Sequence, residues 1–295
     1  HIGPVGNRVS AVVGIPGEPN IYLAGAASGG IWKTTDGGHG WRPVFDDFTV
    51  QSIGALAVAP SNPDVIYAGT GEPWIRSNVS HGAGIFRSDD QGDSWRFIGL
   101  PESGRVGRIL VHPENEDIAY VAALGNLYED QEERGVFRTT DGGATWERVL
   151  HTDPGTGAFG MWMKADDPDT IFASLWTMHI RTWGRWSGGP NGGIYRSTDG
   201  GDTWTKLEGN GLPTGDLGKI DLTGSADDPN RIYALIETNV RSENAPLNPG
   251  GEDEDEHQGV LWRSDDGGDS WAMVQAEHRI QQRPHYYTRL VAAPD

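Results

Sequence analysis

The chain has 295 residues with no cysteine, 43 glycines, 18 prolines and 12 tryptophans, and its 42 acidic against 23 basic residues give a formal charge of −19. These figures exclude disulfides and thiolate metal centres, argue against a nucleic-acid partner, which needs a basic field over its phosphates, and leave no apolar run near the roughly 18 residues of a membrane helix. The load of glycine, proline and tryptophan fits an all-β chain of tight turns.

In chain order, residues 1–10 lack the charged and apolar regions of a signal peptide, so any such peptide is expected to be absent or already removed. One phrase then returns five times: WKTTDGGHGW (32–41), FRSDDQGDSW (86–95), FRTTDGGATW (137–146), YRSTDGGDTW (195–204) and WRSDDGGDSW (262–271). The shared pattern is aromatic, basic, Ser/Thr, any, Asp, any, Gly, any, Ser/Thr, Trp, with Gly40 replacing the second hydroxyl in the first copy. Its aspartates, Asp36, Asp90, Asp141, Asp199 and Asp266, fall 54, 51, 58 and 67 residues apart. A period of that size signals a repeat architecture.

Each repeat reads as four strands, A to D. The second is SIGALAVAP (52–60), a turn at Asn62-Pro63-Asp64, VIYAGTG (65–71), an inserted loop, GIFRSDD (84–90) and SWRFIGL (94–100). Val, Ile, Ala and Tyr runs bounded by Pro, Asn, Asp and Gly are strand signals. Four antiparallel strands in about 50 residues describe a β-propeller blade. The sequence therefore predicts blades at about 1–47, 48–100, 101–151, 152–208 and 209–275. Within 276–295, Tyr286 to Asp295 match strand A of a sixth. Propellers close their rings to remove sheet edges, so the count implies part of a larger propeller, completed by further blades or by a partner chain.

The repeated phrase has a structural explanation. Asp can accept backbone N–H bonds of its own turn, Gly supplies positive φ, and the hydroxyls add bonds to the same loop. Trp41, Trp95, Trp146, Trp204 and Trp271 begin strand D and can pack between sheets. One carboxylate per turn falls well short of the six to eight oxygens of a calcium site, so no metal and no cofactor is expected.

Chemistry is expected opposite the boxes, on the individual B–C loops at 73–84, 125–135, 176–193 and 238–259. The third of these carries Trp176, His179, Arg181, Trp183, Arg185 and Trp186 within eleven positions. Exposed indoles stack on sugar rings, and Arg pairs with anions; the competing reading is that these rings fold the loop over its sheet. Trp74, Arg76, His81 and Tyr128 could line the same face, and Arg289 belongs to a second cluster with Arg279, Arg283, His285, Tyr286 and Tyr287. That cluster could bind an anion or pair with acidic neighbours. Candidate carboxylates for glycoside hydrolysis are Asp46, Asp47, Glu72, Glu129, Asp130 and Glu237, with none picked out by a motif. The acidic run at 252–256 reads as a solvated loop.

The five phrases resemble the Asp-box, or bacterial neuraminidase repeat, found in sialidases, xyloglucanases, photosystem-assembly propellers and sortilin-type receptor domains. The stretch from Asn7-Arg8-Val9-Ser10 to Phe45-Asp46 is most similar to large secreted bacterial proteins of sortilin-like or glycosyl-hydrolase-like type. The resemblance implies a secreted or cell-surface propeller that recognises a carbohydrate, peptide or protein. It also leaves open a glycoside hydrolase with a carboxylate pair near the central channel, or an assembly element that completes its open edge with another chain. The catalytic signature of sialidases is not matched, so no catalytic residue carries over.

Overall fold

A computed structural model describes residues 8–76, 78–238, 260–281 and 283–293. Most of the loop at 238–259, with its acidic run, lies outside the described residues. The chain forms five four-stranded antiparallel sheets in strict sequence order, the architecture of a partial β-propeller. They are β1 (Val9–Ile15) to β4 (Arg42–Pro43), β5 (Ile53–Val58) to β8 (Arg96–Gly99), β9 (Val106–His112) to β12 (Glu147–Leu150), then β13 (Thr156–Lys164), β14 (Asp167–Arg181), β16 (Gly193–Ser197) and β17 (Thr205–Leu207), and finally β18 (Ile220–Gly224) to β21 (Ala272–Gln275). Two compact units divide them: residues 1–126 with 133–149, and residues 127–132 with 150–295.

All five boxes are C–D turns, and they share one bonding scheme. In the third, Asp141 Oδ1 accepts from Thr145 N at 2.8 Å and from Thr139 Oγ1 at 2.9 Å, and its Oδ2 accepts from Thr145 Oγ1 at 2.7 Å. These bonds satisfy turn donors locally and hold the carboxyl below its usual range. Asp199 and Asp266 reach about 2 for the same reason. Gly40 in the first box still gives its N–H to Asp36 at 2.9 Å, but it has no hydroxyl for the second carboxylate oxygen.

A further bond explains why the residue after each box aspartate matters. Gly37, Gln91, Gly142, Gly200 and Gly267 each donate their N–H to a carbonyl in the A–B turn or at the start of strand B of the same blade, on Asn20, Asp64, Asp117, Asp169 and Asn230, at 2.9–3.0 Å. Each donor has φ between 58 and 73°. Glycine adopts that left-handed region without a Cβ clash, whereas Gln91 must bear the strain. Gln91→Gly is therefore expected to stabilise the protein by roughly 0.5–1 kcal/mol, net of the exposed bond from Gln91 Nε2 to Asp64. Equilibrium urea unfolding reads this out, and a lower midpoint would refute it.

In the first unit the blades pack through small residues on strand B. A Cβ on Gly25 would stand 2.5 Å from Ile53, and one on Gly69 would stand 2.4 Å from Val106, so each glycine admits a branched side chain of the next strand A. Val65, Ile85, Val106, Ile109, Val121 and Phe137 continue that core. The second unit buries Phe172, Ile194, Ile220, Ile232, Trp262 and Trp271 together.

Two expectations change. Residues 176–193, read as a loop, are largely a β-hairpin: β14 continues to Arg181, turns at 182–183, and returns as β15 (Gly184–Ser187). The expected strand A at 286–295 is also different. Residues 284–287 form a helical turn, α1 (Pro284–Tyr287), and 288–293 join no sheet. Instead, Lys219 Nζ donates to Thr288 O (2.9 Å), Leu290 N donates to Asp221 Oδ2 (2.8 Å) and Ala292 N donates to Thr223 Oγ1 (3.3 Å). Alternate side chains on one face of β18 thus take the backbone bonds that a ladder would need.

Candidate functional site

The β14–β15 hairpin projects from the fourth sheet because alternating residues keep both strands bonded beyond the sheet. Met178 faces Ser187, His179 faces Trp186, Ile180 faces Arg185 and Arg181 faces Gly184. Residues 127–132 lie along it: Ile180 N donates to Leu127 O at 2.8 Å, and Arg181 Nη1 donates to Tyr128 O at 2.5 Å. His179 Nδ1 stands 3.5 Å from the Asp130 carboxylate.

The hairpin separates the predicted aromatics by exposure. Trp183, at the tip, is 67% exposed and Tyr128 is 46% exposed, whereas Trp176 is fully enclosed and Trp186 is buried. Trp186 meets Trp183 edge-on, with ring centroids 6.4 Å apart at 73°. Trp186 therefore props the tip, and Trp183 and Tyr128 offer faces for stacking. Trp176 packs: its ring meets Phe159 edge-on at 5.8 Å, and its Nε1 donates to Ser187 Oγ at 2.9 Å.

Beneath the hairpin lies a buried polar network. Ser187 Oγ donates to Glu237 Oε2 at 2.5 Å, and the same oxygen accepts from Lys219 N at 2.8 Å. The approach needs a glycine at 218, where a Cβ would stand 2.2 Å from Glu237 Oε2. Burial pushes the Glu237 carboxyl up, against the hydrogen bonds and nearby cations that favour ionisation. Lys219 is completely buried, its Nζ 4.3 Å from the Phe159 ring centre, and burial lowers its amine to about 7. Arg185 is half-buried, and burial also lowers its guanidinium. His285 is held down to about 3 by burial and by Arg185, Lys219 and Arg283. Arg289 is exposed at the end of this group and opposes the charge on Lys219.

Trp74, Arg76 and His81 belong to the first unit. Glu72 is buried; Arg8 Nη2 stands 2.6 Å and Arg76 Nε 3.6 Å from its Oε1. Burial pushes the Glu72 carboxyl up while the two guanidiniums oppose the shift. Arg76 is thus engaged by a carboxylate of its own loop. Trp74 is half-buried and donates to Ser10 O at 3.4 Å, and His81 is exposed. Asp46, Asp47, Glu129 and Asp130 are exposed, so the carboxylates of the predicted set in desolvated surroundings are Glu72 and Glu237. Among the described residues no cluster of three or more His, Asp or Glu could hold a metal ion.

Sequence reasoning missed Lys219, Asp221 and Ser187. A signal existed in Lys219-Ile220-Asp221-Leu222-Thr223, where polar residues alternate along strand A and so share one face. Ser187 carried no signal, because its partner is 50 residues away.

Comparison with known proteins places these features in context. The family described as "Sortilin, neurotensin receptor 3" (Sortilin-Vps10) matches residues 29–179 and 83–247. A xyloglucanase from Paenibacillus sp is 28% identical over 251 residues, 76% of this chain and 23% of that protein. A photosystem II assembly lipoprotein from Synechococcus sp. is 26% identical over 248 residues, 76% of this chain and 65% of that protein. Among solved structures, an ancestral GH74 enzyme superposes with a TM-score of 0.64 at 19% identity, covering 92% of this chain and 34% of that one. The GH74 enzyme of Niastella koreensis gives 0.59 at 20% identity, covering 91% and 38%. The chain spans about a quarter of the length of the xyloglucanases it matches. Among the described residues no helix is long and apolar enough to cross a membrane.

Proposed function

The chain belongs to the Sortilin-Vps10 family, and on that premise we propose that it is an extracellular or cell-surface propeller that recognises a polysaccharide on its β14–β15 hairpin. The reading rests on Trp183, a large aromatic that is 67% exposed at a tip braced by Trp186. Isolated exposed apolar residues need no explanation, but a rigidly propped indole with Tyr128 exposed on the adjoining segment is a stacking platform. Similarity to xyloglucanases supports a glycan as the ligand class. Further blades or a partner chain close the ring.

Affinity electrophoresis against xyloglucan tests the proposal. Trp183→Ala is expected to weaken retention about 10-fold or more, the scale of a hot-spot aromatic. Unchanged retention would remove the hairpin from the binding surface.

A second reading, glycoside hydrolysis, draws support from the same relatives. A general acid needs a carboxyl raised by its surroundings, and Glu72 has that property. This reading requires release of reducing ends from xyloglucan by the protein and its loss in Glu72→Gln; absence of release discards it.

A further inference from the structure

Residues 288–293 stand on β18 as strand A of one blade stands on strand A of the blade before it. In the first unit Ser10 Oγ donates to Ile53 O at 2.5 Å, and these two residues hold the places in their repeats that Asp221 and Leu290 hold here. The bonds at Thr288, Leu290 and Ala292 fall on alternate residues, the period of an extended strand. Val291, between them, is 75% exposed, and neither its N–H nor its carbonyl is hydrogen-bonded among the described residues. Such an edge is a template for strand addition.

The second and third sheets show what an added strand meets. Tyr67 donates its hydroxyl to Glu116 O at 2.7 Å, and Arg87 Nη1 donates to Asp117 Oδ1 at 2.5 Å. Glu116 and Asp117 stand at the start of strand B of the third sheet. A second bond, from Arg87 Nε to Asp89 Oδ1 at 2.7 Å, aims the guanidinium. The fifth sheet repeats this device. Tyr233 pairs with Arg263 as Tyr67 pairs with Arg87, and Arg263 Nε donates to Asp265 Oδ2 at 2.8 Å. Here the Tyr233 hydroxyl and the two Arg263 Nη groups have no partner among the described residues. Tyr67 and Ile85 are fully enclosed in one core with Val106 and Val121 of the third sheet, whereas Tyr233 and Leu261, in the equivalent places, are half-buried. Tyr233 and Leu261 line a groove of about 360 Å³ together with Leu290, Val291 and Ala292.

We propose that this groove is a strand-acceptor site for an extended segment of a partner polypeptide, one that opens with a carboxylate and continues with apolar side chains. The segment adds to the edge at Val291, its carboxylate meets the Arg263 fork, and the carbonyl before it takes the Tyr233 hydroxyl. A second copy of this chain does not fit, because each of its B strands is already paired on both edges. The site is independent of the hairpin platform and of the glycan reading.

The test titrates the 295-residue protein with a labelled synthetic peptide of residues 115–123, NEDIAYVAA, followed by fluorescence anisotropy. The peptide is expected to bind and to protect the Val291 amide from hydrogen exchange. Asp117→Asn in the peptide, or Arg263→Gln in the protein, should weaken binding about 10-fold, the scale of a charge-assisted hydrogen bond. The two changes together should cost no more than either alone, since they remove one contact. A peptide with Tyr120→Pro and Val121→Pro cannot form a ladder and should not bind. No binding of the parent peptide, equal binding of the proline peptide, or additive losses overturns the site. A dimer in light scattering that Arg263→Gln dissolves assigns the groove to a second copy and also overturns it. Thermal melts confirm that Arg263→Gln folds, and the peptide change probes the same contact with the wild-type protein. Trp183→Ala should leave the peptide bound as before, so failure here and failure of the glycan platform are read separately.

Discussion

Trp271→Ala is expected to cost about 3–5 kcal/mol of stability, the range for truncating a buried large aromatic. Trp271 is buried among Ile232, Ile220, Leu212 and Leu217. Its backbone N–H is bonded to Asn210 O at 2.7 Å, which fixes the position and limits collapse into the cavity. The neighbouring Asp266→Asn should cost less, on the order of one or two hydrogen bonds, because Asp266 is exposed and water can replace lost partners. Urea unfolding of the two variants gives the ordering directly. A larger loss for the aspartate variant would mean that turn chemistry, and not packing, dominates the repeat. The effect should be smaller at Trp41, Trp95, Trp146 and Trp204, which are half-buried. Trp146 nonetheless bonds Ile98 O at 2.8 Å in the preceding blade, so it links two sheets of the first unit.

The second large effect is on the pH dependence of stability. Folding lowers the Lys219 amine from 10.5 to about 7. Between those values the unfolded chain binds a proton that the native chain has begun to release, so stability rises with pH through this window and falls as pH drops toward 7. The slope from this one group is at most about 1.4 kcal/mol per pH unit. Lys219→Met should flatten the rise between pH 7.5 and pH 9.5, whatever its effect at a single pH. Tyr67 and Tyr195, pushed up to about 12 by burial, do not titrate in that range. Unfolding midpoints across the window check the claim, and parallel slopes in wild type and variant would sink it. The mutation also removes the clasp on Thr288, so proteolysis of residues 283–293 should accelerate.

The repeat is where sequence reading was strongest, because its causes are local. A box of ten residues contains its own carboxylate, hydroxyls and positive-φ glycine, and the bonds that shape it span two to four positions. Strand limits were legible for a similar reason: 52–60 and 65–71 contain β5 and the strand after it, Ile66–Thr70, with one to two residues to spare. In the sequence the hairpin at 176–187 looks like a loop because arginines and tryptophans mask alternation, and only pairing of His179 with Trp186 reveals it. A list of Trp and Arg also could not rank them. Trp176, Trp183 and Trp186 look equivalent in the chain, yet one is enclosed, one is a prop and one faces solvent.

What the sequence by itself determined is the blade: its order of strands, its Asp-turn and its place in an Asp-box propeller. The tertiary structure alone decided which charged groups are desolvated. Glu237 meets Ser187 across 50 positions, and Lys219 meets Thr288 across 69. Burial and distant partners set the ionisation of these groups, and neither is a property of nearby residues. For that reason the box aspartates could be read from their own ten residues, while Glu237 and Lys219 could not.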